Sequence, residues 1–188
     1  MPWVESWFET YLLPDGGYNC DDEAYRKAKP SSSFTSSLPI YEALLGIDSK
    51  KWQPILIQGL NYLESRAFCK SLSKNCVADP NWLKPGFPIF YEYDVIRGMQ
   101  LALDTHRKLQ TRPNLESFAF AFDASLTALQ TKDLRCPSDY TSFNLHPEKG
   151  IWKNSVIQGF KLLDFLSQAD IQEQFIQKRF YRLCQSIY

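Results

Sequence analysis

The sequence predicts an all-α protein of about seven helices in antiparallel pairs, forming one domain over residues 1–188. Two observations carry this reading. Apolar residues recur at three- and four-residue spacing in every long segment between proline and glycine breaks, and no segment makes a convincing strand. Gly17, Gly86 and Gly150 also stand at loosely equal intervals, as a repeat of two helices per unit would place them.

The elements follow in order. Trp3, Trp7, Phe8 and Tyr11 lie at helical spacing, so a short amphipathic helix covers Trp3 to Leu13. It stops at Pro14-Asp15-Gly16-Gly17-Tyr18, where proline cannot continue a helix and two glycines supply the positive φ that a tight reversal needs. Asp21 to Pro30 reads as a polar loop, acidic first and basic later. Ser31 to Ser33 then offer cap oxygens to a helix ending near Gly46, with Phe34, Leu38, Tyr41 and Leu45 on one face. Pro39 suits a first turn if the cap is Ser36 or Ser37, and kinks a helix that starts at Ser33.

A helix from about Pro54 to Phe68 is expected to bury Ile55, Leu56, Gly59, Leu60 and Leu63. Cys69 to Pro88, interrupted by Pro80, Pro85 and Gly86, reads as loop. The helical pattern resumes from Tyr91 to Leu103, with Tyr91, Val95, Gly98, Met99 and Ala102 in a narrow arc. After Asn114 as cap, Leu115, Phe118, Ala119, Phe122, Leu126 and Leu129 form another stripe. Lys132 to Gly150 is expected to be loop, Trp152, Val156, Phe160 and Leu163 to mark a helix, and Ile176, Phe180, Leu183 and Ile187 to face inward from a final helix over roughly Ile171 to Ile187.

Composition narrows the function classes. Lysine plus arginine equals aspartate plus glutamate at 21 each, so overall charge gives no reason to expect nucleic acid or an anionic membrane as partner. No apolar run nears the length of a membrane span, and no basic leader precedes the first helix, so a cytoplasmic location is expected. Five cysteines without a CxxC pair are expected to be reduced thiols. The 13 Phe, 10 Tyr and 5 Trp suit thick helix packing or a ring-lined cavity for an apolar small molecule.

Several motifs in order resemble the α/α-toroid proteins, the fold of squalene-hopene cyclases and protein prenyltransferases. They are Asp15-Gly-Gly-Tyr-Asn-Cys20, Ser32-Ser-Phe34, Gly86-Phe-Pro88 before Tyr93-Asp-Val-Ile-Arg97, and Gly150-Ile-Trp152. The closest likeness is to uncharacterised bacterial members that carry tryptophan where this chain has Tyr18. The resemblance implies a partial α/α toroid, an arc of about three helix pairs that a second copy of the chain or a partner protein would complete into a ring.

The same resemblance points to chemistry. Class II terpene cyclases start their reaction with a protonated aspartic acid in a DxDD motif, and Asn19-Cys20-Asp21-Asp22 is a degenerate version with Asp21 as donor and Asp22 as its partner. Proton donation needs an acid whose pKa is raised by burial and like charge. The competing reading makes Asp21, Asp22 and Glu23 a solvated loop. A second group, Tyr91, Glu92 and Asp94, would form a pocket at the mouth of the arc with Tyr18 and Trp152 as aromatic walls. Alternatively Asp94 complements a helix dipole or pairs with Arg97, and the Tyr18 and Trp152 rings staple successive turns together.

Other chemistries are poorly supported. The third carboxylate of a magnesium-binding DDxxD is missing, and the zinc-binding DxC of protein prenyltransferases is absent, leaving only a spatial meeting of Cys20 with His146. There is no GxSxG and no phosphate-binding glycine loop of the P-loop or Rossmann kind. No metal or cofactor is therefore expected. Two functions stand: a non-catalytic helical scaffold or binding module for an apolar ligand or a protein, and an isoprenoid cyclase or prenyltransferase-like enzyme using Asp21 and Asp22.

Overall fold

The structure is a computed structural model that describes residues 2–47, 50–71, 74, 76–87, 89, 91–135, 141–145, 152–156, 165 and 168–187. Among the described residues its α-helices of defined extent are α1 (Pro2–Thr10), α2 (Asp22–Arg26), α3 (Phe34–Gly46), α4 (Gln53–Glu64), α5 (Val95–Leu109), α6 (Leu115–Thr131) and α7 (Ala169–Ile187). Single 3-10 turns at Lys50–Trp52 and Pro80–Leu83 lie between them. The protein is mostly helical, in keeping with the all-α expectation.

One expected helix does not start where its pattern predicts. Trp152–Val156 is a strand, β2, paired antiparallel with β1 (Thr141–Leu145), so that Leu145 faces Trp152 and Thr141 faces Val156. The reason is a period ambiguity: Trp152 and Val156 are one helical turn apart, but they are also alternate positions of a strand. Phe160 and Leu163 of the same expected segment, and Gly150 at the end of the loop before it, lie outside the described residues. The polar loop after Cys20 also contains structure, because the Asp21 carboxylate accepts a hydrogen bond from Glu23 N and starts α2.

Helix α3 starts at the Ser33 cap, whose hydroxyl accepts from Ser36 N, and it carries Pro39 in its interior. Phe34, Leu38, Tyr41 and Leu44 are its buried apolar face. Helix α4 buries Ile55, Leu56, Gly59, Leu60 and Leu63 as expected. Helix α5 starts four residues later than its apolar stripe predicts, because Asp94 accepts from Arg97 N and fixes the first turn at Val95. Tyr91 and Glu92 therefore precede the helix, and Tyr91 is exposed.

Helix α5 is the centre of the packing. It touches α3, α4, α6 and α7, and Val95, Ile96, Met99, Ala102 and Leu103 are buried there. The contact face of α6 is Phe118, Ala121, Ser125 and Ala128, with Ser125 Oγ donating to Ala121 O at 2.8 Å. Small residues on that face leave Leu115 and Leu126, expected to be buried, exposed instead. Helix α7 inserts Ile176 and Leu183, which are fully buried. Among the described residues, no helix is long and apolar enough to cross a membrane.

Candidate functional site

The corner after α1 is built by two glycines and one carboxylate. Gly16 has φ +84, and a Cβ there would lie 2.6 Å from Gln58 O, so both conformation and space exclude a side chain. A Cβ on Gly17 would lie 2.6 Å from Ser32 Cβ. Asp15 ties the corner down: its carboxylate accepts from Ser32 N at 3.1 Å, from the Ser32 hydroxyl, and from Arg66 Nη2 at 2.6 Å. The Tyr41 hydroxyl donates to Gly16 O from the far side. A reversal between two helices is thus held by partners from α3 and from the end of α4.

Tyr18 leaves this corner pointing into the core. It is fully buried, its hydroxyl donates to Phe8 O at 3.0 Å, and its backbone N–H donates to Ser37 Oγ at 2.8 Å. Burial raises its phenol above the ordinary tyrosine range, so it is a neutral packing ring. The Trp7 ring stacks on it at 6.1 Å with an interplanar angle of 10°. Of the two roles open to Tyr18 in the sequence, the ring contacts place it as a staple between α1, the corner and α3.

The next residues line an open groove of about 330 Å³. Trp7 from α1, Tyr11 just after it, Tyr25 from α2, Ile40 from α3 and Tyr91 ahead of α5 supply its apolar walls, and Cys20 and Asp22 lie at its polar side. Trp7 and Tyr11 stand one helical turn apart with ring centroids at 5.0 Å, and Tyr25 meets Tyr11 edge-on at 5.5 Å. Tyr25 Oη accepts from Asn19 N at 3.0 Å, which fixes that ring beside the corner. Tyr91 Oη lies 3.3 Å from Ser36 Oγ across the groove. Four rings from three different segments therefore meet where the Asp-Gly-Gly corner delivers Asn19 and Cys20.

The predicted site residues divide between this groove and elsewhere. Asp22 and Tyr91 line it, whereas Asp21 is occupied as the cap of α2, and both aspartates are exposed. Glu92 pairs with Arg135 at 3.1 Å, and Asp94 is completely buried against Arg179, so neither reaches the groove. Arg97 does not bridge to the Asp94 side chain; its guanidinium takes Glu42 through Nε and Nη2 at 2.7 and 2.6 Å. Trp152 opens β2 opposite Leu145, and its side chain falls outside the described part of the structure.

Trp7, Tyr11, Tyr25, Ser36 and Ile40 are groove residues that the sequence did not single out. The i, i+4 spacing of Trp7 and Tyr11 was a usable signal, while Tyr25 sat in a stretch read as polar loop. Among the described residues, no group of three or more His, Cys, Asp or Glu side chains could hold a metal ion; His146 lies outside them. Cys20, Cys69, Cys76 and Cys184 are free thiols, and Cys136 lies outside the described residues.

These features define the class as a mostly helical protein with an aromatic surface groove at a glycine corner. No protein-family model matches the sequence, no curated protein matches it, and no solved structure matches the fold.

Proposed function

We propose that the chain is a non-catalytic helical binding module whose groove takes the apolar part of a small molecule. One observation carries this reading: the Trp7, Tyr11, Tyr25 and Tyr91 rings and Ile40 line a single open groove of about 330 Å³. Ring-lined concavities with a few polar groups are the usual form of small-molecule sites. Tyr91 is 54 % exposed and Tyr11 38 %, so apolar surface is available for burial.

The cyclase-like alternative asks more of the same place. A carboxyl that stays protonated so as to donate to an alkene needs burial, and both Asp21 and Asp22 are exposed. The partial-toroid arrangement belongs to this proposal as well. Contacts between the consecutive helices α3 and α4, and between α5 and α6, fit two-helix units, and α5 adds contacts to α3, α4 and α7. In this reading a second copy or a partner protein completes the arc.

Farnesol, an uncharged isoprenoid alcohol, is a suitable probe. Titration into the full chain, followed by the Trp7 indole resonance, is expected to give saturable binding that Tyr91→Ala weakens about tenfold, equivalent to ~1.4 kcal/mol. Absence of binding to the unaltered protein defeats the proposal.

A further inference from the structure

A second concavity shares no residue with the aromatic groove and carries cationic side chains in its lining. It measures about 650 Å³ and lies over the start of α3. Phe34 and Trp82, with ring centroids 5.2 Å apart, form its apolar wall. Apart from Pro30 and Ala78 its remaining lining is polar, four serines with Lys29, Lys70 and Arg66 and the single carboxylate of Asp15.

Arg66 is the informative side chain. It is 8 % exposed; Nη2 donates to the Asp15 carboxylate at 2.6 Å, while Nε is buried with no hydrogen-bond partner among the described residues. A guanidinium has five N–H donors, and burying them without acceptors is costly. The ring faces of Phe34 and Tyr62, at 5.9 and 4.4 Å, hold the guanidinium in place but accept no conventional hydrogen bond from it. The side chain is therefore positioned, buried at the pocket wall and short of acceptors.

The surroundings specify which acceptor fits. The Ser33 cap places the first turn of α3 at the pocket, where free backbone N–H groups and the helix dipole favour negative charge. Lys29 and Lys70 supply two further cations, the Lys70 ammonium resting 5.2 Å from the centre of the Phe120 ring outside the pocket, and Asp15 is already committed to Ser32 and Arg66. An oxygen-rich dianion satisfies Arg66 and both lysines at once, which a neutral or cationic ligand cannot do.

We propose that this pocket is an oxyanion site that takes a phosphate group, either free phosphate or a phosphate monoester of a small molecule. The Ser31 and Ser33 hydroxyls flank the anion, Arg66 contacts it from the end of α4, Lys29 closes the outer edge, and Lys70 turns from the Phe120 ring to reach it, while Ser32 stays bound to Asp15. The site is independent of the apolar groove and stands or falls without it.

The test is a titration of the full-length chain with inorganic phosphate and, separately, with methyl phosphate, read by the backbone amide resonances of Ser31 to Phe34. Sodium chloride at matched ionic strength is the control. Saturable shifts with either phosphate and not with chloride are expected, and the arm that binds more tightly identifies the free ion or the monoester. The surface pair Lys29→Gln/Lys70→Gln, checked for an unchanged thermal transition, is expected to weaken binding at least about tenfold. Equal shifts with chloride, no saturation with either phosphate, or undiminished binding by the double variant overturns the proposal.

Discussion

Asp94 and Arg179, 85 positions apart, form a two-bond carboxylate–guanidinium pair with both contacts at 2.8 Å. Asp94 is completely buried and also accepts from Arg97 N at 2.9 Å and Gly86 N at 3.2 Å. Arg179 returns a hydrogen bond to Gly86 O at 2.7 Å. One carboxylate thus caps the central helix, anchors the loop before it and locks α7 onto both.

Removing one partner of such a pair strands the other. Arg179→Met is expected to destabilise the fold by about 3–5 kcal/mol, because it leaves a buried charge without its counter-ion. The double replacement Arg179→Met/Asp94→Asn is expected to recover part of that loss, since the amide keeps a cap acceptor for Arg97 N and carries no charge. Urea midpoints measure both; a single-variant loss below about 1 kcal/mol would show that the pair behaves like an exposed one.

The same carboxylate sets an acid limit. Burial alone would raise the Asp94 carboxyl, but the Arg179 charge and the Arg97 and Gly86 N–H groups more than offset it and hold the pKa below the usual range. A depressed folded pKa means that the stabilisation is fully present above the unfolded value, about 4, and is lost as pH falls through the folded value. Stability is expected to show no Asp94 contribution to its slope between about pH 5 and 7 and to fall below about pH 4. In Arg179→Met only the Arg97 and Gly86 N–H groups still oppose burial, so the folded carboxyl rises and the loss of stability on acidification is expected to weaken. Melting temperatures from pH 3 to pH 8 separate the two.

Much of this helical frame was legible in the sequence, because Ile55, Leu56, Gly59, Leu60 and Leu63 on α4, or Asn114 before α6, are local signals. The start of α5 was not, since the Tyr91–Val95 spacing matches a helix and only the Asp94 cap decides otherwise. The β1–β2 hairpin was hidden for the same reason at Trp152 and Val156. In the groove, Trp7 and Tyr11 could be read as a helical pair, and the glycine corner was plain. Its clamp was invisible, because Asp15 finds Arg66 51 positions away and no local pattern encodes that meeting.

The two glycines Gly16 and Gly46 give a matched contrast. Gly16→Ala is expected to cost more than about 1 kcal/mol, since alanine is strained at φ +84 and its Cβ meets Gln58 O at 2.6 Å. Gly46 ends α3 with open space where a Cβ would stand, so Gly46→Ala is expected to stabilise by up to about 1 kcal/mol. Chemical denaturation of the two variants checks the pair of signs.

The thiols should differ sharply in reactivity. Burial pushes Cys69 up to about 11, so it is protonated at neutral pH and shielded, while Cys20 and Cys76 are exposed. Disulfide-exchange labelling of native protein is expected to modify Cys20 and Cys76 first and Cys69 only on unfolding. Rapid labelling of Cys69 in the native state would contradict its burial.

Those rates also supply the sharpest check on the groove, because Cys20 lies in its wall and Cys76 does not. Labelling should be followed by mass spectrometry with and without saturating farnesol. Selective slowing at Cys20, undiminished labelling at Cys76, and loss of the effect in Tyr91→Ala are the results expected of a ring-lined apolar site. Equal rates at Cys20 with and without farnesol would show that the four rings hold no such ligand.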